Sequence, residues 1–132
     1  MKEELLEKIK KKEIVVGVVG LGYVGLPLAV EKAKAGFKTI GFDVQASKVD
    51  MVNQGHNYIG DVVDSDLADL VASGRLSATS DFSFIQEIDF IAICVPTPLD
   101  IHQEPDIRFV RDSAIAISRY LKAKTMVVLE ST

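Results

Sequence analysis

The stretch Gly20-Leu21-Gly22-Tyr23-Val24-Gly25 joins a run of valines to a segment of helical periodicity, and this junction constrains the fold more than any other feature of the chain. Ile14 to Val19 is β-branched almost throughout, the pattern of a strand buried on both faces of a parallel sheet. From Val24 to Ala35 the apolar residues follow helical spacing, with Pro27 in the first turn, where its missing N–H costs little, and Gly36 as a stop. A glycine-rich turn alone is a weak signal. Here it follows a buried strand, opens a helix, lies inside a βαβ unit, and is followed about 20 residues on by an acid, Asp43, at the end of the next strand.

Apolar runs and helix-period segments keep alternating to the end of the chain, with no internal repeat or linker. Thr39 to Phe42 is the second strand. Helices are expected over about Ala46 to Gln54 and Ser65 to Ser73, stopped by Gly55 and Gly74. "RLSAT" is a short third strand, Asp81 caps the brief helix "FSFIQE", and "DFIAICV" is a continuously apolar, hence central, fourth strand ended by Pro96 and Pro98. Pro105 and Asp106 open the longest helix, and "TMVVL" is a fifth strand. Right-handed crossovers turn this order into a doubly wound parallel α/β sheet, 3-2-1-4-5, reversing direction between strands one and four. Ligands bind at that switch point, where Gly20, Asp43, the Val95 to Pro98 loop and Glu130 to Thr132 converge. A buried-type strand as last element leaves its exit loop and following helix missing, so the chain is expected to belong to a longer protein.

The three glycines have separate jobs in such a turn. Gly20 permits the sharp bend, Gly22 lets the backbone approach a pyrophosphate with no Cβ in the way, and Gly25 lets helix and strand pack closely. Free N–H groups at Tyr23 and Val24, with the helix dipole behind them, replace water around an anion without a basic side chain. Asp43 accepts the ribose hydroxyls of the adenosine half and repels a 2′-phosphate, which favours NAD over NADP. The same carboxylate can also cap the segment after Val44. Lys48 lies one helical turn beyond; it is within reach of that ribose, or simply solvated.

A net charge of −4 argues against a nucleic-acid or anionic-membrane partner, since both need a basic stripe. The one basic cluster, "KIKKKE" from Lys8 to Glu13, reads as part of a leading surface helix over residues 1–13 with Glu and Lys at helical spacing rather than as a basic patch. A single cysteine excludes an internal disulfide framework and fits the cytoplasm, and no stretch approaches the roughly 18 apolar residues of a membrane span. Cys94 sits within "FIAICVP" with no histidine nearby in sequence and reads as strand packing. His56 and His102 lie in polar loops with no second ligand at metal spacing, so no metal is implied. "PTP" bends the chain rigidly beside the nicotinamide position, where Thr97 offers a hydroxyl. Glu130, Ser131 and Thr132 put three hydrogen-bonding side chains at the end of strand five, either a site or an ordinary exit loop.

Taken together, "GLGYVGLPLA", "GFDV", "CVPTPL", "EPD" and "LEST", in this order, resemble the N-terminal NAD-binding Rossmann domain of the UDP-glucose/GDP-mannose dehydrogenase family. The last three motifs are similar to the branch that oxidises UDP-N-acetylhexosamines. The resemblance implies oxidation of a sugar C6 alcohol to a carboxylate with two NAD, through a thioester on a cysteine, by a homo-oligomeric full-length enzyme of polysaccharide biosynthesis. By that resemblance Gly20, Leu21, Gly22, Tyr23, Val24, Gly25, Asp43, Lys48, Val95, Pro96, Thr97, Pro98, Leu99 and Ser131 contact NAD, and Thr132 helps to position the catalytic water. The family's nucleophile and sugar site fall beyond Thr132, and Cys94 matches no catalytic motif, so this chain alone is expected to be inactive. Two other readings stay open on the residues: a 3-hydroxyacid or 6-phosphogluconate type dehydrogenase domain, and an NAD-binding module without chemistry.

Overall fold

Parallel strands need a long crossover each, and this chain supplies a helix or helical turn at every one. The computed structural model describes residues 14–22, 24–60, 62–94, 108–120 and 125–129. The strands are β1 (Val15–Val19), β2 (Lys38–Phe42), β3 (Leu76–Thr79), β4 (Phe90–Ile93) and β5 (Met126–Leu129). The helices are α1 (Gly25–Lys34), α2 (Ala46–Asn53), α3 (Asp64–Ala72) and α4 (Arg108–Ser118), with a 3-10 turn at Phe82–Glu87. All four strand pairings are parallel, in the order β3-β2-β1-β4-β5 expected from the sequence. β1 is flanked by β2 and β4, with Val18 opposite both Gly41 and Ala92, so the switch point lies at its carboxyl end.

Alternation along the strands divides the core into two layers. Val16 and Val18 join Leu26, Ala29, Val30 and Ala33 of α1, with residues of α2 and α3, on one face. Ile40, Phe42, Ile91 and Ile93 join Ile85 of the 3-10 segment, Ile88 just after it and Ile117 of α4 on the other. Burial on both faces is why these strands read as continuous apolar runs. Cys94 is buried in the first layer, the packing position expected of it. Among the described residues no helix is long and apolar enough to cross a membrane.

Elements end where the sequence placed its stops. Gly36, Gly55 and Gly74 all have positive φ, and at Gly36 the closing bonds run from its N–H to the Ala33 carbonyl and from the Phe37 N–H to that of Lys32. Asp81 caps the 3-10 turn, accepting from the Ser83 N–H (3.0 Å) and hydroxyl (2.6 Å). Helix α1 starts one residue later than its periodicity predicts, because Val24 takes the N-cap position, and α3 starts one earlier, at Asp64. The expected helix over residues 1–13, the Pro96 and Pro98 strand stop, the Pro105–Asp106 helix start and the residues after Leu129 lie outside the described residues.

The edge strand β3 is tied to α2 by one side chain. Asn53 donates to the Ala78 carbonyl and accepts from the Ala78 N–H, both at 2.9 Å. Asn53→Ala removes both bonds and leaves two part-buried backbone groups to water. The expected loss is about 1 to 2 kcal/mol in unfolding free energy, read as a lower denaturant midpoint at unchanged m-value.

Candidate functional site: the glycine turn at the switch point

At the carboxyl end of β1 the backbone must turn away from the sheet and re-enter it as a helix. Gly20 does so at φ 95°, a region open mainly to glycine, while its N–H donates to the Phe42 carbonyl at 2.7 Å. Gly25 is demanded by contact: a Cβ there would lie 1.6 Å from the Gly20 carbonyl oxygen and 3.3 Å from the Cβ of Cys94. Gly22 is different. Its φ lies outside the left-handed region, and a Cβ built on it would meet nothing within 4 Å. Nothing among the described residues requires glycine at that position, whereas a ligand approaching the backbone would.

The residue between the first two glycines is the most tightly held in the turn. The Leu21 side chain is fully buried over Gly41, where an added Cβ would come within 2.7 Å of its Cδ2. Its N–H donates to Asp43 Oδ2 at 2.9 Å, and its carbonyl accepts from the Tyr58 hydroxyl. Asp43 stands just beyond β2 with 9 % of its surface exposed, and its other oxygen accepts from the Gln45 N–H at 2.9 Å. The cap expected of this carboxylate is therefore present. It closes the turn into α2, and it lies at the strand end where a ribose would be read. Burial first, and the Asp43 charge second, push the Tyr58 phenol up to about 12, so it remains a hydrogen-bond donor at any physiological pH.

Beside the turn is a cleft of about 310 Å³ lined by Gly20, Phe42, Asp43, Val44, Lys48 and Phe82, among others. Phe42 and Phe82 stack in its wall with ring centroids 5.6 Å apart. Val44 is 79 % exposed, a large apolar side chain left at the mouth. The cleft thus offers apolar walls with two carboxylates, Asp43 and Asp112, and the Lys48 ammonium, a lining suited to a base and its sugar.

The structure brings together Gly20, Leu21, Gly22, Val24, Gly25, Asp43 and Lys48 of the residues singled out from sequence. Tyr23, Val95, Pro96, Thr97, Pro98, Leu99, Ser131 and Thr132 lie outside the described residues. Tyr58 was not anticipated. It lies in a polar loop with no periodicity, and the only local signal was an aromatic residue standing among turn formers in "GHNYIGD".

Comparison with known proteins agrees with this geometry. Residues 14–132 match the model of the NAD-binding domain of the UDP-glucose/GDP-mannose dehydrogenase family, and the chain belongs to that family. It is 37% identical over 121 residues to the UDP-N-acetyl-D-glucosamine 6-dehydrogenase of Pseudomonas aeruginosa, covering 92% of this chain and 28% of that protein. The UDP-N-acetyl-D-mannosamine dehydrogenase of Yersinia pestis is 40% identical over 121 residues, covering 89% of this chain and 27% of that one. The solved structure of a UDP-D-ManNAc dehydrogenase from Pyrococcus horikoshii superimposes with a TM-score of 0.84 at 28% identity, over 90% of this chain and 28% of that one. The chain therefore spans little more than a quarter of the length of these relatives. Its cofactor is NAD, and the residues of the turn fit that group: Gly22 leaves its backbone open where a phosphate would approach.

The two inner glycines give the test. Gly22→Ala should leave the melting temperature within about 2 °C, while Gly25→Ala, forced against backbone, should cost more than about 3 kcal/mol or prevent folding. Thermal unfolding followed by circular dichroism separates them.

Proposed function

We propose that this chain holds NAD for a nucleotide-sugar 6-dehydrogenase that oxidises the C6 alcohol of a UDP-N-acetylhexosamine, or of a UDP-hexose, to the uronate with two NAD. The observation that carries the cofactor half is the glycine turn pinned through Leu21, with Gly22 facing open space and Asp43 at its side. The substrate half is supported by the relatives, two of which are dehydrogenases of UDP-N-acetylhexosamines. When bound, NAD accepts the hydride. The chain's own contribution is to bind and orient. The backbone from Gly20 to Gly25 takes the pyrophosphate on unpaired N–H groups at the start of α1, and Asp43 with Lys48 takes the adenosine ribose. The apolar wall of Phe42, Phe82 and Val44 takes the base. On the family resemblance, Val95 to Leu99 and Ser131 are assigned to the nicotinamide side and Thr132 to the water that completes oxidation. The reacting cysteine and sugar site belong to parts of such enzymes beyond this chain, so binding without turnover is expected of it. We further propose a cytoplasmic, homo-oligomeric setting for the complete enzyme.

Asp43→Asn tests the cofactor assignment. Removing the charge should weaken NAD by about ten- to a hundredfold, the equivalent of a charge-assisted hydrogen bond of roughly 1.5 to 3 kcal/mol. An amide offers only one acceptor oxygen to the two N–H groups of Leu21 and Gln45, so a melting loss will accompany the change. The diagnostic quantity is the ratio: NADP should lose less than NAD, because its 2′-phosphate no longer faces a carboxylate. Equal losses in calorimetric titrations would leave Asp43 with its structural role alone.

A further inference from the structure

Tyr58 belongs to neither the glycine turn nor the strand that carries Asp43. It reaches the turn from the loop between α2 and α3, and that loop is built to be stiff. Asn57 accepts from the Ile59 N–H at 2.9 Å and donates to the Val62 carbonyl and to Asp64 Oδ1. Ile59 and Val62 are buried, and the Tyr58 ring packs on the first core layer. The phenol is thus presented from a fixed base, and its hydroxyl donates to the carbonyl of Leu21.

That carbonyl shares a peptide plane with the Gly22 N–H. No cis peptide is present among the described residues, and in a trans peptide the C=O and N–H point in opposite directions. Holding the Leu21 oxygen toward Tyr58 therefore turns the Gly22 N–H away from it. Among the described residues that N–H donates to no backbone oxygen, and, chain neighbours aside, none of their atoms lies within 4 Å of the place where a Gly22 Cβ would be. The Gly22 carbonyl already accepts from the Leu26 N–H at 3.1 Å, so α1 fixes the far side of the same residue. We propose that Tyr58 is a positioning residue for the dinucleotide: by holding the Leu21 carbonyl it aims the Gly22 N–H at the pyrophosphate. The inference rests on the NAD-binding reading above, and it assigns to a residue outside the glycine motif the orientation of the motif's central donor. Burial of the phenol keeps it protonated, so the lock persists across the neutral and mildly alkaline range.

Tyr58→Phe keeps the ring and removes the donor. Calorimetric titration of the purified protein with NAD, ADP and adenosine reads the effect, since only the first two carry a pyrophosphate. NAD and ADP should bind about five- to tenfold more weakly, and adenosine as before, for the loss of one hydrogen bond acting through the loop. An equal loss for adenosine would mark general damage and overturn the proposal, as would unchanged affinity for NAD and ADP. Amide exchange on the ligand-free protein tests the lock itself: the Leu21 amide should exchange several-fold faster in the variant, with the amides of β2 and β4 unchanged. If the wild type binds none of the three ligands, the function proposed above fails, whereas Leu21 exchanging at the same rate in both proteins overturns the lock even where NAD binds.

Discussion

Everything at the site depends on how Leu21 is held. A glycine-rich turn has the backbone freedom to follow many paths, and freedom is the opposite of what a preformed anion cradle needs. This chain restores rigidity at the one non-glycine residue between Gly20 and Gly22. The side chain fills the hollow above Gly41, the N–H goes to Asp43, and the carbonyl is taken by Tyr58. Three separate segments, β2, the strand-end loop and the loop before α3, therefore agree on one residue. The glycines give the turn its shape, and their neighbour gives it permanence.

The same economy runs through the sheet beneath. Gly17 and Gly41 sit in central strands, where glycine is ordinarily a weakness, and each makes room for a large side chain from another segment. An added Cβ at Gly17 would stand 3.0 Å from Ile88 Cγ2, and at Gly41 2.7 Å from Leu21 Cδ2. Close approach on one face seats the 3-10 segment that carries Phe82, and on the other it seats the turn. The cleft that Phe82 and Asp43 share is thus a consequence of where two strands lack side chains.

Much of this was legible before any coordinates. The strand order followed from the alternation of β-branched runs with helical periods, because parallel strands buried on both faces leave no ambiguity of face. The glycine stops were legible because a left-handed cap has few other solutions. Asp43 was read as a ribose acceptor with a cap as its other role, yet its bond to the Leu21 N–H spans residues far apart in sequence and left no local trace. Tyr58 was illegible for the same reason. Long-range hydrogen bonds to backbone depend on loop conformation, and loop conformation here is set by Asn57, whose partners only the fold reveals.

On the NAD-binding proposal, the double use of Asp43 also explains how a carboxylate can stand beside a phosphate site in a chain of net charge −4. An isolated buried carboxylate would repel the pyrophosphate that the turn is built to attract. Here each oxygen already accepts a backbone N–H, from Leu21 and from Gln45, so the charge is partly balanced on the protein side while lone pairs remain for a sugar hydroxyl. Among the described residues Lys48 supplies the only basic side chain in the cleft lining. Attraction for the phosphates is thereby left to oriented N–H groups, which cannot lose their charge with pH and cost no side-chain entropy to position. On that proposal selectivity follows from place: a carboxylate balanced by the backbone tolerates the bridging phosphates, but not a second dianion on the hydroxyl it would accept.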